Sequence, residues 1–355
     1  MEIFPEPGDS HGAIQWVKGP ATALVRISDD RAISDQLSLA DPAGRLFKVS
    51  QVQRLAAIPQ ATLHPLHGSP QASNLYDIIL LSEGFASPEK EKFLAAAQRL
   101  SNDFVAIEPY HACRDRLRVT GLFLPSPESG ISERSCGGSQ HQGGICNAAS
   151  QTRSTLFGMQ NMVSGYCRLI AGNEDRIREA LKTKQIRKLL ANRHIEPQLA
   201  VVVGNTQLYG GAGASRTEVK PLVVWTAPNS SGGAVMAHEM GHALGLQDEY
   251  PDAGTGLPAP KKWVNISNQA DPARTPWHCR ATDHRTPTCT HHDPQCACDS
   301  DIIGTFEGAG HKPIGRYRPT KNCAMKTTGA RFCPICAAHI SNRLSGNSDK
   351  LCPPA

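Results

Sequence analysis

The residues best suited to chemistry lie in segment 234–250, which is mostly apolar and contains the pattern H-E-x-x-H. His238 and His242 are four residues apart, so on a helix their side chains project from the same face and can share one metal ion. Glu239 lies beside them, where it can take a proton from a water molecule. The pattern predicts a mostly buried helix that carries two metal ligands and a general base.

The residues after His242 extend this pattern to H-E-x-x-H-x-x-G-x-x-D. Gly245 can adopt the left-handed conformation that ends a helix, so the chain can turn back and bring Asp248 to the same ion. This spacing is that of the metzincin motif with aspartate as third ligand, and it favours Asp248 over the neighbouring Glu249. Zinc accepts two imidazoles and a carboxylate and keeps a fourth position for water. The alternative, an amphipathic helix with two histidines by chance, is disfavoured by the glycine and the correctly spaced acid.

Apolar patterns elsewhere predict the elements that must position this helix. Short apolar runs predict buried strands at 76–82, 116–124, 199–203 and 221–225. Apolar residues at helical spacing predict helices from 87 to about 104, at 156–170, at 174–193 and at 336–344. Segment 205–214 has three glycines around Tyr209. It predicts either a flexible hairpin or an exposed strand edge beside the metal cleft, with which a substrate backbone can pair.

The same patterns divide the chain into two parts. Residues 1–72 are predicted to form a small β-rich segment, with strand-like runs at 21–27 and 44–49 and a linker rich in Pro, His and Ser at its end. Residues 73–355 are predicted to form the catalytic domain. That domain contains a Cys/His-rich insert at about 277–300.

Composition narrows the classes of function. The 355 residues are 39% hydrophobic and 19% charged, and the formal net charge of +5 is spread along the chain. These values are typical of an ordinary globular protein and give no basic patch for nucleic acid. No apolar run is long enough to span a bilayer, and residues 1–20 lack the apolar core of a signal peptide. We therefore expect neither nucleic acid nor membrane as a partner.

The twelve cysteines leave two interpretations open, and eight of them follow residue 278. Their even count and clustering favour disulfides in an oxidising, extracellular compartment, although the missing signal peptide leaves the cytoplasm as the alternative. A second, structural zinc is the rival, because thiolates and several histidines lie close together in sequence. The pattern Cys333-x-x-Cys336 also fits a redox motif, but the early βαβ context of such motifs is missing, so a disulfide or structural role is favoured.

These residues together resemble the IgA-peptidase-type zinc metallopeptidases, a bacterial metzincin-like family. The resemblance extends beyond the zinc motif and spans about residues 75–340 in one order. Its further motifs are S-E-G-F at 82–85, E-P-Y at 108–110, L-P-S at 124–126, E-S-G at 128–130, Y-G-G at 209–211, F-E-G-A-G at 306–310, Y-R-P at 317–319, C-A-M at 323–325 and F-C-P-I-C at 332–336.

The resemblance implies a zinc-dependent endopeptidase with an α/β metzincin-like fold, which consists of a mixed twisted sheet, an active-site helix and a Met-turn. It implies that His238, His242 and Asp248 bind the zinc ion and that Glu239 is the general base. The segment before residue 75 is shorter than the β-domain expected there, and the Cys/His-rich insert is particular to this chain. The resemblance implies a protein or peptide substrate. Immunoglobulin A gives the family its name but is not itself implied as that substrate.

The resemblance also implies two supporting residues. Met325 is implied as the Met-turn residue, a hydrophobic floor beneath the histidine ligands. Tyr317 is the candidate hydrogen-bond donor to the developing oxyanion, because metzincins often use a tyrosine near the Met-turn, and Tyr250 is a weaker candidate. Two other functions stay open as alternatives: a zinc-dependent hydrolase of a non-peptide amide, and a non-catalytic binding protein that keeps zinc to hold its fold.

Overall fold

The structure is a computed structural model, and contacts between its residues divide the chain into two compact units, 1–56 and 57–355. The described residues of the second unit are 61–69, 75–134, 151–161, 169–213, 221–251, 263–278 and 302–346. The first unit is described as four short strands, β1 (Gln15–Gly19), β2 (Thr22–Arg26), β3 (Ser38–Ala40) and β4 (Leu46–Lys48). β1 pairs with β2 and β3 with β4, both antiparallel, so the strands predicted at 21–27 and 44–49 are present as β2 and β4.

A mixed six-stranded sheet forms the framework of the second unit. Its strands are β5 (Thr62–His67), β6 (Tyr76–Glu83), β7 (Leu117–Phe123), β8 (Leu199–Gly204), β9 (Gly211–Ala212) and β10 (Leu222–Thr226), in the order β5-β7-β6-β8-β10-β9. The four central strands are parallel, whereas β5 and β9 pair antiparallel at the two edges. The central strands are buried almost throughout, which explains why they read as unbroken apolar runs. The four predicted strands of this sheet are therefore confirmed.

Because of strand β5, the boundary between the two parts of the chain lies earlier than the sequence predicts. It lies inside the predicted N-terminal segment 1–72, yet it pairs with β7 and so belongs to the main sheet. The division between the compact units accordingly falls between Ala56 and Ala57, earlier than the predicted boundary. The sequence signal at 59–73 was a composition shift, and such a shift does not distinguish a linker from an edge strand.

The helices of the second unit are α1 (Lys90–Val105), α2 (Glu174–Lys182), α3 (Lys184–Ala191), α4 (Gly232–Ala243) and α5 (Pro334–Leu344). The single helix predicted at 174–193 is thus two helices. Thr183 between them has φ −59° and ψ 144°, an extended conformation that breaks the helix, and its hydroxyl donates to Ala180 O at 2.8 Å. Among the described helices, none has the length and apolarity that a membrane span requires.

The helix predicted at 156–170 is wrong over the part that the structure describes, and residues 162–168 lie outside the described residues. The buried carboxylate of Glu83 accepts hydrogen bonds from the backbone N–H groups of Phe157 at 3.1 Å and Met159 at 3.0 Å. Gln160 exchanges backbone hydrogen bonds with Ala171 in both directions, and Asn173 N donates to Phe157 O at 2.8 Å. The backbone groups of this segment are thus paired with distant groups and are not available for a helical ladder. Apolar spacing alone gives no sign of that competition.

The main hydrophobic core joins the sheet to α1, α4 and α5, and α4 lies deep within it. Met236 and Met240 of α4 are fully buried, as the apolar frame of the motif predicts. Gly233 allows close contact with α1, because a Cβ atom there would lie 2.6 Å from Asp103 Cβ. The Tyr110 hydroxyl donates to Ala237 O at 2.9 Å. Packing from several sides therefore fixes the position of α4.

A buried ion pair connects the neighbouring strands β6 and β7 near the residues where they begin. Arg118 on β7 donates to both carboxylate oxygens of Asp77 on β6, at 2.6 and 2.8 Å, and both residues are nearly inaccessible.

We expect Asp77→Ala to lower the free energy of unfolding by about 3–5 kcal/mol, because the Arg118 charge stays buried without the carboxylate that neutralises it. Equilibrium urea unfolding measures this loss. Lys92→Ala, which removes an exposed ion pair with Glu89, is the control and should change stability by about 1 kcal/mol or less; equal losses in both variants would contradict the prediction.

Candidate metal centre

Helix α4 and the turn after it bring three side chains to one point. His238 and His242 lie one helical turn apart, with their rings 4.8 Å apart between centroids. The helix ends before Gly245, whose φ of +104° is the left-handed conformation predicted from the motif. Beyond that turn, Asp248 Oδ1 lies 3.2 Å from the Nε2 atom of each histidine. The three predicted ligands therefore form one cluster.

The hydrogen bonds of the two histidines decide whether a cation fits this cluster. His238 Nδ1 lies 2.8 Å from Ala324 O, and His242 Nδ1 lies 3.0 Å from Leu246 O. A carbonyl oxygen only accepts, so both Nδ1 atoms carry hydrogen and, in the neutral rings, both Nε2 atoms present lone pairs. Two lone pairs and the buried Asp248 Oδ1, which accepts no hydrogen bond while both rings are neutral, converge on one position. A divalent cation fits that arrangement, and carbonyl partners of this kind orient histidine ligands in metal sites.

A proton competes with the cation for this position. Burial lowers the pKa of His242, but the Asp248 carboxylate, its hydrogen bond and the Glu239 charge raise that pKa to about 10. Burial raises the pKa of Asp248, whereas the His242 charge and hydrogen bonds from three histidines hold it well below its usual range. A metal ion must displace the proton from His242, so metal binding is favoured as pH rises.

Met325 and its neighbours pack against α4, the helix that carries His238 and His242. Met325 is fully buried, and its sulfur packs so closely on α4 that a Cβ atom on Gly241 would lie 2.7 Å from it. Met325 O accepts from Glu249 N at 2.7 Å, and the preceding Ala324 O is the partner of the His238 ring. The segment at 323–325 thus supports both the helix and the returning chain.

Glu239 is half-buried, and its charge acts on the neighbouring His242. The edge strand β9 runs past it. A Cβ atom on Gly213 would lie 2.7 Å from Glu239 Oε2 and 3.4 Å from His242 Cβ. Of segment 205–214, residues 211–212 form the short strand β9 beside Glu239, and residues 214–220 lie outside the described residues.

His311 is a member of the site that the sequence did not reveal. Its Nε2 atom lies 3.2 Å from Asp248 Oδ2, and its ring packs edge-to-face on Tyr250 with centroids 4.8 Å apart. It occupies the turn between β11 (Phe306–Ala309) and β12 (Lys312–Arg318), an antiparallel hairpin. The backbone of this turn donates to Asp248 O and Tyr250 O. His311 is 63 residues from Asp248 in sequence, so no local spacing could have indicated it.

We expect His311→Ala to weaken metal affinity about 10–100-fold, because a partner that orients the Asp248 carboxylate is lost. Titration against a chromophoric chelator measures the affinity. His311→Gln keeps a side-chain N–H donor and should recover part of the loss. The exposed His111 provides the control, since His111→Ala should leave the affinity unchanged. An unaltered affinity in His311→Ala would show that this histidine has no positioning role.

The two tyrosine candidates lie in different surroundings. The Tyr317 hydroxyl on β12 lies 3.4 Å from Glu307 Oε1 on β11, and burial together with that carboxylate raises the pKa of Tyr317. Tyr250 packs on His311 and is thereby connected to Asp248. The assignment of an oxyanion donor to Tyr317 stays a prediction.

Glu249, the competing third ligand, belongs to a different cluster. It is fully buried together with Cys323, Cys333 and Cys336, and its Oε1 atom lies 3.2 Å from Cys336 Sγ. The described cysteines, which are these three and Cys113, are all free thiols, so the predicted disulfides are not found among them. The other cysteines and most of the insert at 277–300 lie outside the described residues.

Comparison with known families defines the class of protein. The family model described as IgA Peptidase M64 matches residues 65–294 and 292–344, which is most of the chain. This class is a metallopeptidase, a hydrolase that acts on peptides and depends on a metal. The chain belongs to the IgA Peptidase M64 family, as its resemblance in sequence predicts. No curated protein matches the chain significantly.

Proposed function

We propose that the protein is a zinc-dependent endopeptidase that cleaves peptide bonds within protein substrates. Membership of the family supplies the peptidase activity, whereas the identity of the metal, the base and the substrate class are our proposal. The observation that carries it is the convergence of His238, His242 and Asp248 at one point, with Glu239 beside them. Two imidazoles and one carboxylate are a ligand set of catalytic zinc, which leaves one coordination position open.

Glu239 is proposed as the general base and then the general acid. A zinc ion held by the three ligands would supply the Lewis acidity that polarises the scissile carbonyl and acidifies water. Glu239 takes the proton of the attacking water and returns it to the departing amine nitrogen. Its partial exposure supports this role, because water and substrate can both reach the carboxylate.

Strand β9 is proposed as the edge on which the substrate backbone lies. It is the last strand of the sheet and pairs with β10, and Gly211 also forms a parallel bridge with Leu169. Among the described residues, the edge proposed for the substrate is therefore that of Ala212 and Gly213. An extended peptide can add to such an edge through backbone hydrogen bonds, largely independently of its side chains. The missing side chain at Gly213 would let that backbone approach Glu239 closely. Met325 is proposed as the residue of the Met-turn, supported by its packing beneath α4.

Tyr317 is proposed as the additional donor to the oxyanion. We expect Tyr317→Phe to lower kcat about 100- to 1,000-fold with little change in metal content, since one donor to the developing charge is lost. Tyr250→Phe is the matched comparison, because it removes the hydroxyl of the other candidate. A normal kcat in Tyr317→Phe combined with a large loss in Tyr250→Phe would reverse the assignment.

Digestion of a mixed peptide library tests the proposed function. The protein should cleave internal peptide bonds, lose that activity with a chelator and regain it when zinc is returned. Cleavage that resists the chelator would contradict the metal mechanism. Hydrolysis confined to non-peptide amides would favour the first alternative, and a zinc-loaded protein without any hydrolysis would favour the binding protein.

A further inference from the structure

A second cluster of side chains of the types that bind metals includes Glu249, the residue next to Asp248. It consists of Cys323, Cys333, Cys336 and Glu249, whose sulfur and oxygen atoms all lie within 4.8 Å of one another. All four residues are buried, with exposures of 0–3%. Nothing in the proposed peptidase mechanism uses them. Three thiols and a carboxyl group gathered without solvent require an explanation.

The chain builds this cluster from two backbone turns. Cys333 is the N-cap of α5, and Pro334 in the first turn places Cys336 beside it on the same end of the helix. Cys323 lies in the turn that leads to Met325, and its sulfur accepts from Cys333 N at 3.3 Å. Cys333 Sγ in turn accepts from Cys336 N at 3.5 Å. Backbone N–H donors directed at sulfur stabilise thiolates, which are the form of cysteine that binds metals.

Glu249 supplies a second, independent observation. Its Oε1 atom accepts from Asn265 Nδ2 at 3.0 Å, but its Oε2 atom is buried without any hydrogen-bond partner. Burial of an unpaired carboxylate oxygen is costly, so such an atom points to a ligand. Arg318 and Lys326 interact electrostatically with Glu249 and would balance part of the negative charge of thiolates around an ion.

We propose that Cys323, Cys333, Cys336 and Glu249 bind a structural zinc ion, distinct from the ion at His238. Three thiolates and one carboxylate oxygen complete a four-coordinate shell, so this site leaves no position open for water or substrate, as structural zinc sites do. Catalysis of thiol–disulfide exchange fits less well, because reactive cysteines are partly exposed and these are buried. The proposal does not depend on the peptidase activity.

The second site is connected to the first through residues that are adjacent in the chain. Glu249 directly follows Asp248 in the chain. Cys323 is followed by Ala324, whose carbonyl binds the His238 ring, and by Met325, which packs against α4. An ion shared by Glu249 and Cys323 would hold both segments in place. We therefore expect its loss to weaken metal binding at the first site as well as thermal stability.

Metal analysis of matched variants tests the proposal. Inductively coupled plasma mass spectrometry should find one zinc ion fewer per chain in His242→Ala than in the unaltered protein, and the ion that remains should be lost in Cys333→Ser combined with His242→Ala. Cys113→Ser is the control, since Cys113 is a buried free thiol outside the cluster and should keep the full complement. After cobalt replaces zinc, the intact chain should show a thiolate-to-cobalt absorption band, and Cys333→Ser should lose that contribution.

A peptide-mapped alkylation of the intact chain covers the case in which Cys333→Ser fails to fold. Cys323, Cys333 and Cys336 should become reactive together when a chelator removes the ion, while Cys113 stays protected. Equal zinc content with and without Cys333, iron in place of zinc, or a disulfide among the three cysteines in the freshly purified protein would overturn the proposal. Loss of peptidase activity alone would say nothing against it.

Discussion

Replacement of Glu239 by glutamine is expected to lower kcat on the order of 1,000-fold, within the range that a general base contributes. The amide has the size and shape of the carboxylate, but it cannot accept a proton from water or return one to the leaving amine. The three metal ligands are unchanged, so the zinc content should stay at the level of the unaltered protein. Steady-state cleavage of a fluorogenic peptide together with metal analysis measures both quantities.

The control for this experiment is Glu179→Gln, an equivalent change at an exposed position on α2 that should leave kcat unchanged. The combination of lost turnover and retained metal separates a base from a ligand. Near-normal turnover in Glu239→Gln would reject the assigned mechanism, and a parallel loss of zinc would assign Glu239 to the metal shell.

Replacement of Asp248 by alanine is expected to lower the zinc affinity of the first site at least about 100-fold, more than the loss of an outer partner such as His311. The carboxylate is the only negatively charged member of the three-residue cluster, and its Oδ1 atom lies 3.2 Å from Nε2 of both histidines. Without it two neutral imidazoles are left to hold the ion, and peptidase activity should fall with zinc occupancy. Chelator competition at fixed pH measures the affinity.

Two further variants are the controls for Asp248→Ala. Asp115→Ala removes an exposed carboxylate elsewhere and should leave zinc affinity unchanged. Glu249→Gln tests the neighbouring acid, which the structure directs towards the cysteine cluster. If Glu249→Gln removes the catalytic ion while Asp248→Ala spares it, the assignment of the third ligand is reversed.

The parts of the site that the sequence predicts are those determined by local geometry. One helical turn separates His238 from His242, and a left-handed glycine suffices to return the chain to Asp248, so three ligands follow from eleven consecutive residues. The central strands are predicted for a related reason. Parallel strands covered on both faces must be apolar throughout, and such runs are recognisable without knowledge of their partners.

The elements that the sequence did not predict depend on distant contacts. The region after Thr155 carries apolar residues at helical spacing, yet its amides bind Glu83, more than 70 residues earlier. The extended conformation of Thr183 divides one predicted helix into two without changing the apolar pattern on either side. Tertiary hydrogen bonds and single backbone conformations of this kind override local propensity.

Around the metal ligands, too, the features that depend on distant contacts were not predicted from the sequence. His311 reaches Asp248 only because the β11–β12 hairpin folds over the turn after α4. Glu249 competes with Asp248 in sequence, where only the motif spacing favours Asp248, and in the structure the two side chains belong to different clusters. Which of two adjacent acids binds which ion is decided by the packing of α5 and the turn at 323–325.

Anomalous diffraction at the zinc absorption edge, from crystals of the zinc-loaded protein, would locate the catalytic ion. We expect a peak about 2.0–2.2 Å from His238 Nε2, His242 Nε2 and an Asp248 carboxylate oxygen, with Glu239 facing the open position. A protein that cleaves peptides but shows no peak there, or a peak whose ligands exclude Asp248, would contradict this expectation.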